Sequence, residues 1–157
     1  MALNIDAIKA EYPLPSYNYR VEIDGEAVAF SEVSGLNIAY EVTTYKESPT
    51  ASGAPGPRVM YMPGQATMTS LTLKKGVVRA ASIKALYGWI KTVQINQVVK
   101  KDIYIRLCDE KGEAVISWKV GNAFPTKLDA PQFSATSNDA AIETMELKAD
   151  YVTIEES

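Results

Sequence analysis

No histidine occurs anywhere in this chain of 157 residues, and cysteine occurs once, as Cys108. The first absence removes the commonest general base and the commonest metal ligand. The second excludes an internal disulfide and a cysteine-held zinc cluster, and leaves Cys108 as a small apolar residue near a strand end. The nine glycines never form a GxGxxG or GxxxxGK[ST] run, so no loop is patterned to cradle phosphates. No apolar stretch approaches the roughly 20 residues that span a bilayer, so no membrane anchor is expected. The opening residues carry Asp6 and Glu11 and do not read as a secretory signal. Carboxylate pairs such as Glu143 with Glu146, or Asp109 with Glu110, have the chemistry for glycoside cleavage, yet a polar strand face and a turn account for them more simply. Tyr17, Tyr19, Arg20 and Tyr104 could stack single-stranded nucleic acid, but a net charge of −3 promises no basic groove around them. The expectation is a protein that is not an enzyme and has no cofactor or metal.

What the chain does have is enough apolar residue, 46%, to build one buried core over 1–157 without staples. Its charge is unevenly spread. Residues 1–73 hold 8 acids and 4 bases, residues 74–106 hold 1 acid and 8 bases, and the remainder holds 10 acids and 4 bases. A basic middle between acidic flanks could give opposite poles suited to head-to-tail contacts between copies. Equally, Lys84 and Lys91 could simply solvate a helix while Lys74, Lys75, Lys100 and Lys101 decorate turns.

Strand signals dominate. Tyr17, Tyr19, Val21 and Ile23 alternate with Asn18, Arg20 and Glu22, the period of a half-buried strand. Asp24-Gly25 then marks a tight hairpin, with Ala27–Phe30 as the return strand. Ile38–Tyr45 is β-branched and aromatic, and Thr67–Leu73 alternates again. Ile103, Ile105 and Leu107 predict one arm of a hairpin turning at Asp109–Glu113. Ala114, Ile116, Trp118 and Val120 form the other arm. Ala141–Ile154 reads as a closing strand with a kink.

Between them lies Lys46–Gly64, with Pro49, Pro55, Pro57 and Pro63 among three glycines, which reads as a long functional loop. One segment has a helical period: in Ala80–Val93, Ile83, Leu86, Tyr87 and Ile90 share a stripe, with Trp89 near its edge. These four are expected to pack in the core, and Trp118 in the core or a subunit interface. The fold class is thus mainly β, an antiparallel β-sandwich or barrel with one flanking α-helix and a long Pro/Gly-rich loop.

An ordered series of phrases carries a family likeness: YPLPSYNYRVEI, FSEVSGLNIAYEVTTYKE, MPG, LTLKKG, LYGWIKTV, KKDIYIRL, SWKVGNAFPTK and AIETMELKADYVTI. In this order, from Tyr12 to about Ile154, the chain resembles tail tube proteins of contractile phage tails and contractile injection systems. It departs from the pattern in Thr50–Pro57, which is richer in Gly, Ala and Pro. The resemblance implies paired β-sheets flanked by one helix, and six copies joined through sheet edges into rings. The rings would stack into the inner tube of a contractile particle, a conduit and spear driven by sheath contraction. It implies assembly in a bacterial cytoplasm into a phage tail or tail-like particle, extracellular or cell-anchored. Sheath, baseplate and terminator proteins would be partners, with possible cargo in the lumen. An alternative is the ring-forming secreted tube protein of a type VI secretion system, which also chaperones effectors; a small-molecule-binding β-barrel is a third reading.

On this reading the 46–64 loop reaches a neighbouring ring through Lys46, Glu47, Arg58, Met60, Tyr61 and Met62, because a loop without its own core must find one elsewhere. The 1–15 N-terminal arm is the second such candidate. Glu143 and Glu146, taken to point outward from one strand, are lumen candidates.

Overall fold

A computed structural model of the chain describes residues 2, 4–53, 55–93 and 97–156. The first and third residues of the expected arm, residue 54 of the Gly/Pro-rich stretch and Ser157 lie outside the described residues. A short helix, α1 (Ile5–Glu11), is started by Asn4, whose side chain accepts from the Ala7 amide at 2.7 Å. Ten strands follow among the described residues: β1 (Tyr19–Ile23), β2 (Glu26–Val28), β3 (Glu32–Ser34), β4 (Tyr40–Glu47), β5 (Arg58–Ala66), β6 (Thr69–Gly76), β7 (Lys101–Cys108), β8 (Ala114–Asp129), β9 (Ile142–Ala149) and β10 (Tyr151–Glu156). Between β6 and β7 runs one helical segment, made of α2 (Arg79–Ala81), a π-helical stretch over Ser82–Tyr87, and α3 (Gly88–Ile90).

Eight strands make one antiparallel sheet in the order β2-β1-β7-β8-β9-β6-β3, with β10 also on β8. The long strand β8 lets the sheet double over. Its first part pairs with β7 and β10, its last part with β9. Between the parts Asn122 takes a positive φ of 54°. The two halves enclose one core of Val21, Ile23, Leu71, Leu73, Ile103, Ile105, Val120, Ala123, Met145, Leu147, Ala149 and Val152, closed by Leu86 and Trp89 from the helical segment. Asp24 and Gly25, with φ of 52° and 84°, form the two-residue β1–β2 turn whose twist suits a hairpin. Gly35 has φ 91°, and a Cβ there would strike the Ser70 carbonyl, so glycine is required where the chain crosses β6.

Four expectations need correction. Lys46–Gly64 is not one continuous loop: β4 and β5 pair over Tyr40–Glu47 and Arg58–Ala66 as a separate two-stranded sheet, so both ends of the segment are strand and 48–57 is the connection. Its strands are exposed on both faces, so no burial alternation marks them. Ile83 and Tyr87, expected in the core, are exposed, and Ile90 is half-buried. The wider π turns rotate the segment, so its inward residues are Ser82, Leu86 and Trp89. Finally, Glu143 does not point outward with Glu146. Residues three apart on a strand face opposite sides, and Glu143 is buried while Glu146 is exposed. The predicted closing strand is also two strands, β9 and β10, parted at Asp150 and joined to different neighbours.

Candidate assembly surfaces

The β4–β5 hairpin carries all six residues assigned to stacking. Cross-strand pairing sorts them onto two faces. Thr43, Tyr45 and Glu47 share one face with Met62, Met60 and Arg58, where Arg58 and Glu47 approach to 3.7 Å. Val42, Thr44 and Lys46 share the other with Pro63, Tyr61 and Val59. That second face exposes Val42 (69%) and Tyr61 (75%), and Lys46 has no ion pair among the described residues. A bare two-stranded hairpin is marginal in water, so surface of this kind is built to be covered. Its base is closed where the Thr67 amide donates to the Ala39 carbonyl at 2.9 Å, and is tied to the main sheet where the Thr69 hydroxyl of β6 donates to the Asn37 carbonyl at 3.3 Å.

A second apolar surface flanks the helical segment. Ile83, Tyr87 and Ile90 line a groove of about 580 Å³ with Val77, Leu128 and Phe133. Phe133, 83% exposed, was not singled out in the sequence; its place between Pro131 and Ser134 gives it no periodicity to be read from. Glu143 borders the groove, and its Oε1 has no hydrogen-bond partner among the described residues. Across the β6–β9 pair from it stands Lys75, also buried, whose ammonium donates to the Gly76 carbonyl at 3.0 Å.

The outer face of the β8–β9–β6–β3 half is polar. Register aligns Ser34, Thr72, Glu146 and Lys127 in one row, and Glu32, Lys74, Thr144 and Asp129 in the next. Lys127 lies 3.4 Å from Asp129, and Lys74 lies 3.6 Å from Glu32. Glu146 therefore sits in the middle of a water-facing wall of interleaved charge. The other half bears Arg106, held by Glu22 at 2.9 Å and donating to the Ser117 hydroxyl at 3.1 Å, with its guanidinium over the Tyr104 ring. Trp118, on the opposite side of β8, is half-buried against the core.

The arm touches the body through Lys9 and Glu110, 3.0 Å apart and both exposed. A hydrogen bond from its own backbone amide, then Lys9, holds the Glu110 carboxyl below the usual range, and Glu110 raises Lys9. Burial pushes the Tyr19 hydroxyl up while it donates to the Phe30 carbonyl at 2.7 Å. In the main sheet, β2, β3 and β10 each have one partner strand among the described residues and so expose an edge, as do both strands of the β4–β5 hairpin.

Comparison with known proteins bears on these surfaces. The family model of the T4-like virus tail tube protein gp19 matches residues 15–153. No curated protein sequence matches significantly. Among solved structures, a chain of the PVC sheath–tube complex of an extracellular contractile injection system, in its extended state, is 39% identical with TM-score 0.88, covering 99% of this chain and 100% of that one. A chain of the anti-feeding prophage tube-terminating cap is 41% identical with TM-score 0.84, each chain being covered in full. A chain of the PVC sheath/tube terminator is 42% identical with TM-score 0.81, covering 92% of this chain and 98% of that one.

Proposed function

Because this chain belongs to the T4-like virus tail tube protein gp19 family, we propose that it works by repetition, as hexameric rings stacked into the inner tube of a contractile injection particle. The near-complete match to that family carries the reading. The residues supply what it requires: exposed strand edges for joining copies, an uncored hairpin for reaching further ones, and a polar wall for a water-filled bore. The tube would run inside a contractile sheath between baseplate and terminator, in an extracellular or cell-anchored particle assembled in a bacterial cytoplasm. The role is structural, a conduit and spear, with cargo as the optional content. A secreted ring that chaperones effectors is the weaker reading, since the similar chains above come from sheath–tube and terminator assemblies.

Within the tube, we assign the lumen to the face around Glu146 and not to Glu143, and stacking to the β4–β5 hairpin with the 1–15 arm in support. The bore is tested with Glu146→Cys. In assembled tubes a small maleimide should label it while a maleimide on a long polymer chain does not; equal labelling by both would remove Glu146 from the lumen. The assembly itself is tested by size exclusion and negative-stain microscopy of the purified chain.

A further inference from the structure

Two surfaces of this chain are each incomplete in a way that the other would complete. At the groove, Glu143 is 8% exposed and its Oε1 meets no donor among the described residues. A buried carboxylate without a donor or cation is costly. The neighbouring cations are turned elsewhere: Lys75, its cross-strand partner, directs its ammonium to the Gly76 carbonyl and makes no ion pair with Glu143 among the described residues, and Lys127 pairs with Asp129. The rest of the lining is largely apolar, and Ile83, Tyr87 and Phe133 stand exposed there.

The hairpin face of Val42, Pro63, Tyr61 and Val59 has the complementary deficit. It is apolar and bare, and its one charge, Lys46, has no carboxylate partner among the described residues. The other hairpin face has already neutralised Arg58 with Glu47. No residue lining the groove belongs to the hairpin of the same copy, so within one chain the two surfaces do not meet.

Resting on the reading that copies of this chain assemble, we propose that the Val42–Lys46–Tyr61 face of one copy seats in the groove of a second copy, with Lys46 paired to Glu143. The pairing would place a cation against a desolvated carboxylate inside an apolar seal, where removing one partner is most damaging.

The variants Lys46→Gln and Glu143→Gln should each keep the circular-dichroism spectrum of the native monomer. Each should raise the concentration needed for assembly roughly thirtyfold or more. The charge exchange Lys46→Glu with Glu143→Lys should recover assembly. A lysine at 143 would stand beside Lys75 and can unfold the chain, so a second arm mixes Lys46→Cys chains with Glu143→Cys chains and adds a short bis-thiosulfonate cross-linker. Working well above the assembly threshold, the expected product is a dimer linked through positions 46 and 143, seen in the mixture and in neither variant alone. Glu143→Gln assembling at the native concentration, or cross-links confined to other pairs in intact tubes, would overturn the socket alone. A native chain that forms no rings or tubes would overturn the self-assembly reading, and the socket with it.

Discussion

Leu86 and Ile83 sit three residues apart on one helical segment, yet one closes the core and the other faces solvent. Replacing Leu86 by alanine should cost about 2–5 kcal/mol, the transfer loss plus a cavity. Ile83→Ala should stay within about 0.5 kcal/mol, as a surface change does. Urea denaturation of the monomer separates them, and equal losses would refute the rotated helical face. At the arm, Lys9 and Glu110 predict a pH window. Glu110 is lowered, so its contribution is present at neutrality and is lost as pH falls below the ordinary carboxylate range and through its folded value. Lys9 is raised, so its contribution is complete below the ordinary lysine value and is lost as pH climbs past it. Both groups are fully exposed, so the effect belongs to the arm and not to global stability. Protection of the α1 amides, taken relative to their intrinsic exchange rate at each pH, should be greatest between those limits; protection unchanged by acid while the sheet stays folded would contradict the tether.

Among the elements, the β4–β5 hairpin is the one whose removal should change assembly but not folding. It has its own two-stranded sheet and adds no residue to the core cluster. Replacing Glu41–Gly64 by a short turn should leave a folded monomer with a melting transition near the native one, and rings that no longer stack. A variant that still builds normal tubes would remove the hairpin from the stacking contact. Its second strand and its pairing were also the least legible part of the sequence. Strands β1, β6, β7 and the first half of β8 announce themselves because one face is buried, and burial is what writes period-two alternation. The hairpin's first strand was legible as the β-branched, aromatic run Ile38–Tyr45, but β5 is exposed and carries Pro63 and Gly64 after a Pro/Gly-rich connection, so no alternation marks it. The helical period was legible while its inward face was not, since the π stretch rotates it by a fraction of a turn. Glu143 and Glu146 could have been separated on paper: an odd spacing on a strand puts two side chains on opposite faces. Nothing in the sequence revealed that Glu143 would lie unpaired beside an apolar groove, because that depends on how β9, β8 and the 130–141 segment come together.

For the whole molecule, the chain is a core-complete body with unfinished surfaces. Its sandwich is saturated by Leu, Ile, Val, Met and Trp, so the exposed apolar residues on the hairpin and beside the helical segment are not core that failed to close. They are surface in excess of what a lone monomer would keep, which fits a tail tube protein whose native state is a polymer. The charge blocks along the sequence are partly absorbed at this scale. Basic Lys74 and acidic Glu32 share a sheet face, and Arg106 neutralises Glu22, so much of the segregation seen along the chain is cancelled across strands. The central claim, that this chain builds a hollow stacked tube from itself, is tested most directly by cryo-electron microscopy of the purified protein over a concentration series. The account predicts six-fold rings giving way to hollow tubes as concentration rises. Monodisperse monomer at every concentration, with no ring or tube, would contradict it.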